Sequence, residues 1–190
     1  MYLSIAEVRA GDPDQPEGGF PEYSDEEIQA RILEWQAFIE KITGRVFEER
    51  EMELWVRASP SRKRLYLPQF PISISTIESA NGKEISAYSV VADPSSPYIE
   101  VIDGNLSGSY KVSGTFGYLE NGETPPAIKK ALLRLVVFDL RGTPLTLRAG
   151  LKEESTDGRT AKFGLPSLTG DREIDHILAT YRRPPLVRTL

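Results

Sequence analysis

The chain has one histidine, His176, and no cysteine. Nucleophilic chemistry would therefore rest on a serine with that single imidazole as its base. No Gly-x-Ser-x-Gly elbow is present; the nearest look-alike, Ser107-Gly108-Ser109, falls where a strand turn is expected. Glu173, Asp175 and His176 carry metal-ligating atoms, but on a helix residues one and two apart point to different faces. One imidazole among scattered carboxylates also suits few metals. Carboxylates gather at Glu48-Glu49, Glu51, Glu53 and Glu153-Glu154. General-acid work needs a carboxyl whose pKa is shifted, usually by burial. The alternation of Glu49, Glu51 and Glu53 instead places them along one exposed strand face. Gly18-Gly19 and Gly114-Thr-Phe-Gly117 match neither a phosphate-binding loop nor the dinucleotide fingerprint. Arg57, Arg62, Lys63 and Arg64 precede Tyr66. This run could touch a nucleic-acid backbone without reading bases, or keep a strand edge soluble. No catalytic, cofactor or metal residue emerges, and the sequence points away from an enzyme.

Composition agrees. At 190 residues the chain suits one globular domain, or a small domain with an inserted lobe. A 39% hydrophobic fraction with 15 glycines and 14 prolines predicts many turns without wholesale disorder. Cysteine-free sequence excludes disulfides and suits a reducing compartment. No apolar run reaches membrane-span length and no signal-peptide pattern opens the chain, so a soluble protein made in a cytoplasm is expected. A net charge of −5 argues against tight duplex binding. Between Glu7 and Glu27 stand eight acidic residues and one arginine, whereas the last nine residues hold three arginines and no acid. Opposite-sign ends permit head-to-tail docking of identical subunits, and equally fit solvated termini.

Helical spacing and caps define the elements that would position any surface. Ser4-Ile-Ala-Glu7 reads as a capping box opening a short turn over 4–10, and Gly11 to Pro21 as a loop. Ser24-Asp-Glu-Glu27 caps a helix whose stripe Ile28, Ile32, Trp35, Ile39, Ile42 runs to a cap at Gly44. From Arg45 to Gly117 the period becomes two. Strands are read at Val46-Phe47, 52–56, 65–67, 72–77, 85–91, 98–102 and 110–116, with a hairpin signal at Asn81-Gly82 and a second turn at Asp103-Gly104-Asn105. That makes six or seven antiparallel strands, enough for a small sandwich or open barrel. Thr124 as cap and Pro125 at the first helical position start a helix to Arg141 with Ile128, Ala131, Leu132, Leu135 and Val136 inward. Pro144 to Pro166 reads as an extended arm, 171–181 as a last helix, and Pro184-Pro185 as its stop before an extended tail.

The expected fold is α+β. A helical core (about 24–43, 124–141 and 171–181) carries an inserted antiparallel β-rich lobe (about 46–117) and an extended C-terminal tail. The domain reading is a single unit over 1–190, with 1–45 and 118–181 helical, 46–117 the lobe and 182–190 the tail.

In this order the pieces resemble the head–tail connector (adaptor, or head-completion) proteins of tailed bacteriophages. The residues that carry the resemblance are Tyr23-Ser-Asp-Glu-Glu-Ile28, Ile42-Thr-Gly-Arg-Val-Phe47, Arg64-Leu-Tyr-Leu-Pro-Gln-Phe-Pro-Ile72, Val112 to Tyr118, Thr124 to Ala131, and Thr169 to Pro184. Together they cover about two-thirds of the chain; the loop at 11–21 is longer than the family's link and 145–166 finds no counterpart. The resemblance implies a non-catalytic virion protein at the head–tail interface, assembled in the host cytoplasm. It implies a ring, a dodecamer in the virion, that docks on the portal ring and extends the DNA channel. DNA would pass without sequence-specific binding, a stopper or tail-completion protein would dock distally, and no cofactor or membrane is implied. The implied portal or neighbour-subunit contact is the tail: Tyr181, Arg182, Arg183, Pro184, Pro185, Leu186 and Arg188. The alternative is a non-catalytic β-rich module binding a polysaccharide or protein. Exposure of Tyr66, Tyr88, Tyr98 and Tyr110 on one sheet face would favour it.

Overall fold

The computed structural model describes residues 2–11, 19–94, 96–102, 106–142, 153–156, 159–162 and 168–183, with backbone alone at 59–62, 153–156 and 159–162. The fold is α+β, and its contacts separate into two compact units. One comprises Met1–Thr43 and Pro126–Tyr181; the other comprises Gly44–Pro125 with Arg182–Leu190.

In the first unit, both predicted capping boxes form. Ser4 N–H donates to Glu7 Oε2 at 2.7 Å and Glu7 N–H to Ser4 Oγ at 3.2 Å, opening α1 (Ile5–Ala10). Ser24 and Glu27 repeat the exchange at 2.8 and 3.2 Å before α2 (Asp25–Thr43). The buried face of α2 is Ile28, Ile32, Gln36, Ile39 and Thr43. The predicted stripe is thus corrected at Trp35 and Ile42, which are half-buried, because two polar residues take the inward positions. Gln36 accepts from the Tyr2 N–H at 3.2 Å, and Thr43 Oγ1 donates to the Ile39 carbonyl at 2.7 Å, so both are satisfied inside. Gly44 follows with φ +68°, the left-handed conformation that ends a helix at no steric cost.

Helix α3 spans Pro126–Leu140, starting later than the sequence predicts. The helical region is disfavoured for a residue before proline, which keeps Pro125 out of the helix and gives Pro126 the first position. Thr124 is buried and its hydroxyl donates to the Phe47 carbonyl at 2.7 Å instead of capping. The apolar set Ile128, Ala131, Leu132, Leu135 and Val136 is buried as expected. Helix α4 (Arg172–Tyr181) is capped by Asp171, whose Oδ1 accepts from the N–H groups of Glu173 and Ile174. Helices α2, α3 and α4 pack on one another, and α1 on α2 and α3. The segment predicted as an extended arm contains an antiparallel pair, Glu153–Thr156 with Arg159–Lys162. Its sequence, Glu-Glu-Ser-Thr and Arg-Thr-Ala-Lys, carries no period-two apolar pattern to mark it. The intervening Asp157-Gly158 was the available turn signal.

The second unit holds six strands: β1 (Arg50–Arg62), β2 (Arg64–Tyr66), β3 (Pro71–Ser79), β4 (Tyr88–Val91), β5 (Tyr98–Val101) and β6 (Leu106–Phe116). They form two three-stranded antiparallel sheets ordered β1-β6-β3 and β2-β5-β4. One core serves both: Val56, Ala58, Ile77, Leu106, Tyr110, Val112 and Phe116 from the first sheet, with Leu65, Ile99 and Val101 from the second. The predicted hairpin at Asn81-Gly82 is only partly realised. Ser79 N–H meets Lys83 O and Ile85 N–H meets Ile77 O, both at 2.8 Å, after which the chain leaves for the other sheet. Strand β5 pairs with β2 and β4 and not with β6, so the chain passes from one sheet to the other after it; the turn predicted at 103–105 lies outside the described residues. Val46-Phe47, read as a strand, forms none, although Tyr118 N–H donates to Val46 O at 2.7 Å.

Candidate functional site

The residues considered for catalysis do not converge. Glu173 is engaged by Lys130 Nζ at 2.6 Å and by Arg134, which also binds Asp171. Lys130 above all, then Arg134, holds the Glu173 carboxyl below its ordinary value. Asp175 accepts from the Leu168 and Thr169 N–H groups and the Thr169 hydroxyl, at 2.8–3.1 Å. His176 is exposed on the same helix. Glu173 therefore fastens α4 to α3, and Asp175 holds its entry loop. Among the described residues no group of three or more His, Asp or Glu gathers in metal-binding geometry. No described helix is long and apolar enough to cross a membrane.

The predicted tail contact begins at the end of α4. Tyr181 is half-buried and Arg182 exposed. Arg183 is turned inward: Nη1 donates to the Pro68 carbonyl at 2.6 Å and Nη2 to the Leu67 carbonyl at 2.9 Å. Near it Arg45 donates to the Pro94 carbonyl at 2.6 Å and lies 4.6 Å from the Tyr118 ring centre. Burial lowers the pKa of both guanidinium groups, and for Arg183 the charge of Arg45 adds to it. Both stay cationic, since arginine does not deprotonate in proteins. Arg183 thus fixes where the tail starts. Pro184, Pro185, Leu186 and Arg188 lie outside the described residues.

The four tyrosines do not make one exposed face. Tyr110 is buried in the β core and Tyr88 packs against it. Tyr66 and Tyr98 stand opposite each other with centroids 5.7 Å apart, and Arg64 lies 4.5 Å over Tyr98 while pairing with Glu100 at 3.4 Å. The predicted basic stretch is thus partly neutralised within its own sheet. No observation favours a carbohydrate platform.

Sequence reasoning placed Glu51 and Glu53 on an exposed strand face and passed over Trp55, which shares it on the outer side of β1-β6-β3. Glu51, Glu53, Trp55 and Arg57 alternate outward along β1, with Lys111 on β6 between Glu53 (3.7 Å) and Glu78 (3.3 Å). Trp55 is 64% exposed, the most exposed large hydrophobic side chain among the described residues. A shallow cavity of about 290 Å³ lies on the same sheet, lined by Glu51, Met52 and Glu53 of β1, Ser75 of β3 and 113–115 of β6. Gly114 allows β3 to pass close, since a Cβ there would stand 2.2 Å from the Ser73 carbonyl oxygen. The signal was available: a tryptophan in phase with glutamates on one strand must share their exposed face.

No protein-family model matches the sequence, and no curated protein matches it. Solved structures do. A chain of the virion of the native gene transfer agent (GTA) particle superposes with a TM-score of 0.66 at 17% identity, covering 98% of this chain and 92% of that one. A chain from the neck of the empty GTA particle, computed with C6 symmetry, gives 0.64 at 18% identity over 98% and 92%. One from the neck of the native GTA particle, computed with C12 symmetry, gives 0.60 at 14% over 99% and 97%. The likeness is one of fold, and it runs through nearly the whole chain.

Proposed function

We propose that this protein is a structural, non-catalytic component of a phage-like virion: a head–tail connector that forms a ring in the neck. The carrying observation is the fold shared over 98–99% of the chain with GTA particle chains, two of them from the neck. The C6 and C12 symmetries of those necks support a ring of identical subunits, with twelve copies as the reading here. In this reading the ring docks beneath the portal, prolongs the DNA channel and offers a platform to the stopper or tail. The net charge of −5 suits a channel through which DNA slides without adhering.

The tail from Tyr181 onward is the proposed portal or neighbour contact. Its Arg182, Arg183 and Arg188 supply charge-assisted donors, and Pro184-Pro185-Leu186 an extended apolar stretch. Arg183 acts in this reading as the anchor from which the rest reaches out.

Negative-stain imaging of the protein mixed with purified portal rings of the same particle tests the proposal. A new collar of density at one end of the portal is expected, its symmetry giving the copy number. Bare portals at high protein excess would overturn the connector role.

A further inference from the structure

The two edges of the β1-β6-β3 sheet are unlike. Strand β3 is blunted: its register against β6 shifts twice, between Pro71 and Ser73 and between Ile74 and Thr76. Its far end is covered by the return of Lys83 and Ile85 onto Ser79 and Ile77. Such irregularities keep an edge from pairing with another chain. Strand β1 has none of them over Arg50–Ala58, where it pairs with β6 without a break. No strand among the described residues takes its other edge.

This open edge is also self-complementary. Antiparallel pairing of β1 with a second copy about Trp55 would set Trp55 against Trp55, and Glu53 of each copy against Arg57 of the other. All three side chains are exposed and on the outer face. On the inner face the same register sets Leu54 opposite Val56 and Met52 opposite Ala58, apolar against apolar. Shifting the register by one residue sends every side chain to the wrong face, so the choice is constrained. Cross-strand aromatic and opposite-charge pairs are the units that stabilise a sheet, and here they recur symmetrically.

We propose that the unassembled protein forms a twofold dimer through β1, fusing the two β1-β6-β3 sheets into one of six strands. The contact is isologous, using the same patch on both copies, and cannot by itself close a ring. It is therefore independent of the connector reading: either can fail without the other.

Sedimentation velocity of the full chain across a concentration series tests this with Glu53→Arg and Arg57→Glu. Wild type is expected to shift from monomer to dimer as concentration rises. Each variant places like charges in both cross-strand pairs, which should weaken dimerisation by about tenfold or more. Mixing the two variants one to one restores both pairs in the heterodimer, so the dimer should return at wild-type concentrations. Circular dichroism matching wild type confirms that the variants fold. A wild-type protein that stays monomeric, variants that dimerise like wild type, or a mixture that stays monomeric would each overturn the proposal.

Discussion

Arg9 is the lone cation in the acidic N-terminal stretch, and the structure gives it a purpose that charge counting does not. Its guanidinium donates to the carbonyls of Gly19, Phe20 and Tyr23 at 3.1 Å and pairs with Asp25 Oδ1 at 2.7 Å. One side chain thereby ties the entry of α2 back to α1. Its removal leaves three carbonyls without this donor, so Arg9→Ala should lower stability by about 1–3 kcal/mol, read from the midpoint of a urea titration. An unchanged midpoint would mean that water replaces the guanidinium at no cost. Trp35 teaches the converse lesson. Helical spacing placed it inward; instead it is half-buried, its Nε1–H bonded to Asp139 Oδ2 at 3.1 Å and its ring edge-on to Phe38. Tryptophan carries a polar handle that favours such boundary positions, and an apolar stripe cannot express it.

At the scale of elements, local rules were the most legible. Both capping boxes, the glycine stop at Gly44 and the inward face of α3 stand as read, because each depends on residues within one turn of each other. What failed depends on residues far apart. Thr124 looked like a cap, yet its hydroxyl serves Phe47, a residue far upstream. Thr124→Val keeps the shape and removes the hydroxyl that donates to the buried Phe47 carbonyl. A loss of about 1–3 kcal/mol is expected in thermal or chemical unfolding, and an unchanged midpoint would mean that the bond to Phe47 contributes nothing. The strands show the same division. Six were visible as period-two runs, but their pairing was not, since alternation says which face is buried and nothing of which neighbour lies alongside. The hairpin at Asn81-Gly82 misled for that reason: the turn forms, and the strands beyond it part. The outer face of β1 was legible in its glutamates and overlooked in its tryptophan.

On the scale of the whole molecule, the β unit has its own closed core, every member of which falls between Val56 and Phe116. A fragment spanning Gly44–Pro125 should therefore fold alone, giving a cooperative melt and a strand-type circular dichroism spectrum. A featureless melt would show that the β core depends on the rest of the chain. The same scale explains why function was only partly readable. A protein that works as proposed does so through surfaces matched to other copies and other chains, and the types and spacing of residues in one sequence carry little of that match. Order along the chain carried more: helix, β lobe, helix, helix is the arrangement that the GTA chains share.

The interruption of the helical unit between Thr43 and Pro126 has a bearing on how the molecule is made. On the ribosome, α1 and α2 emerge with Ile28, Ile32 and Ile39 uncovered, and α3, on which α2 packs, is not yet synthesised. The insert Gly44–Pro125 must be translated first. As it folds, the bonds from Tyr118 to Val46 and from Thr124 to Phe47 bring the two ends of the insert together. A long delay in time thus becomes a short gap in space, and α3 is delivered with little loop left to close.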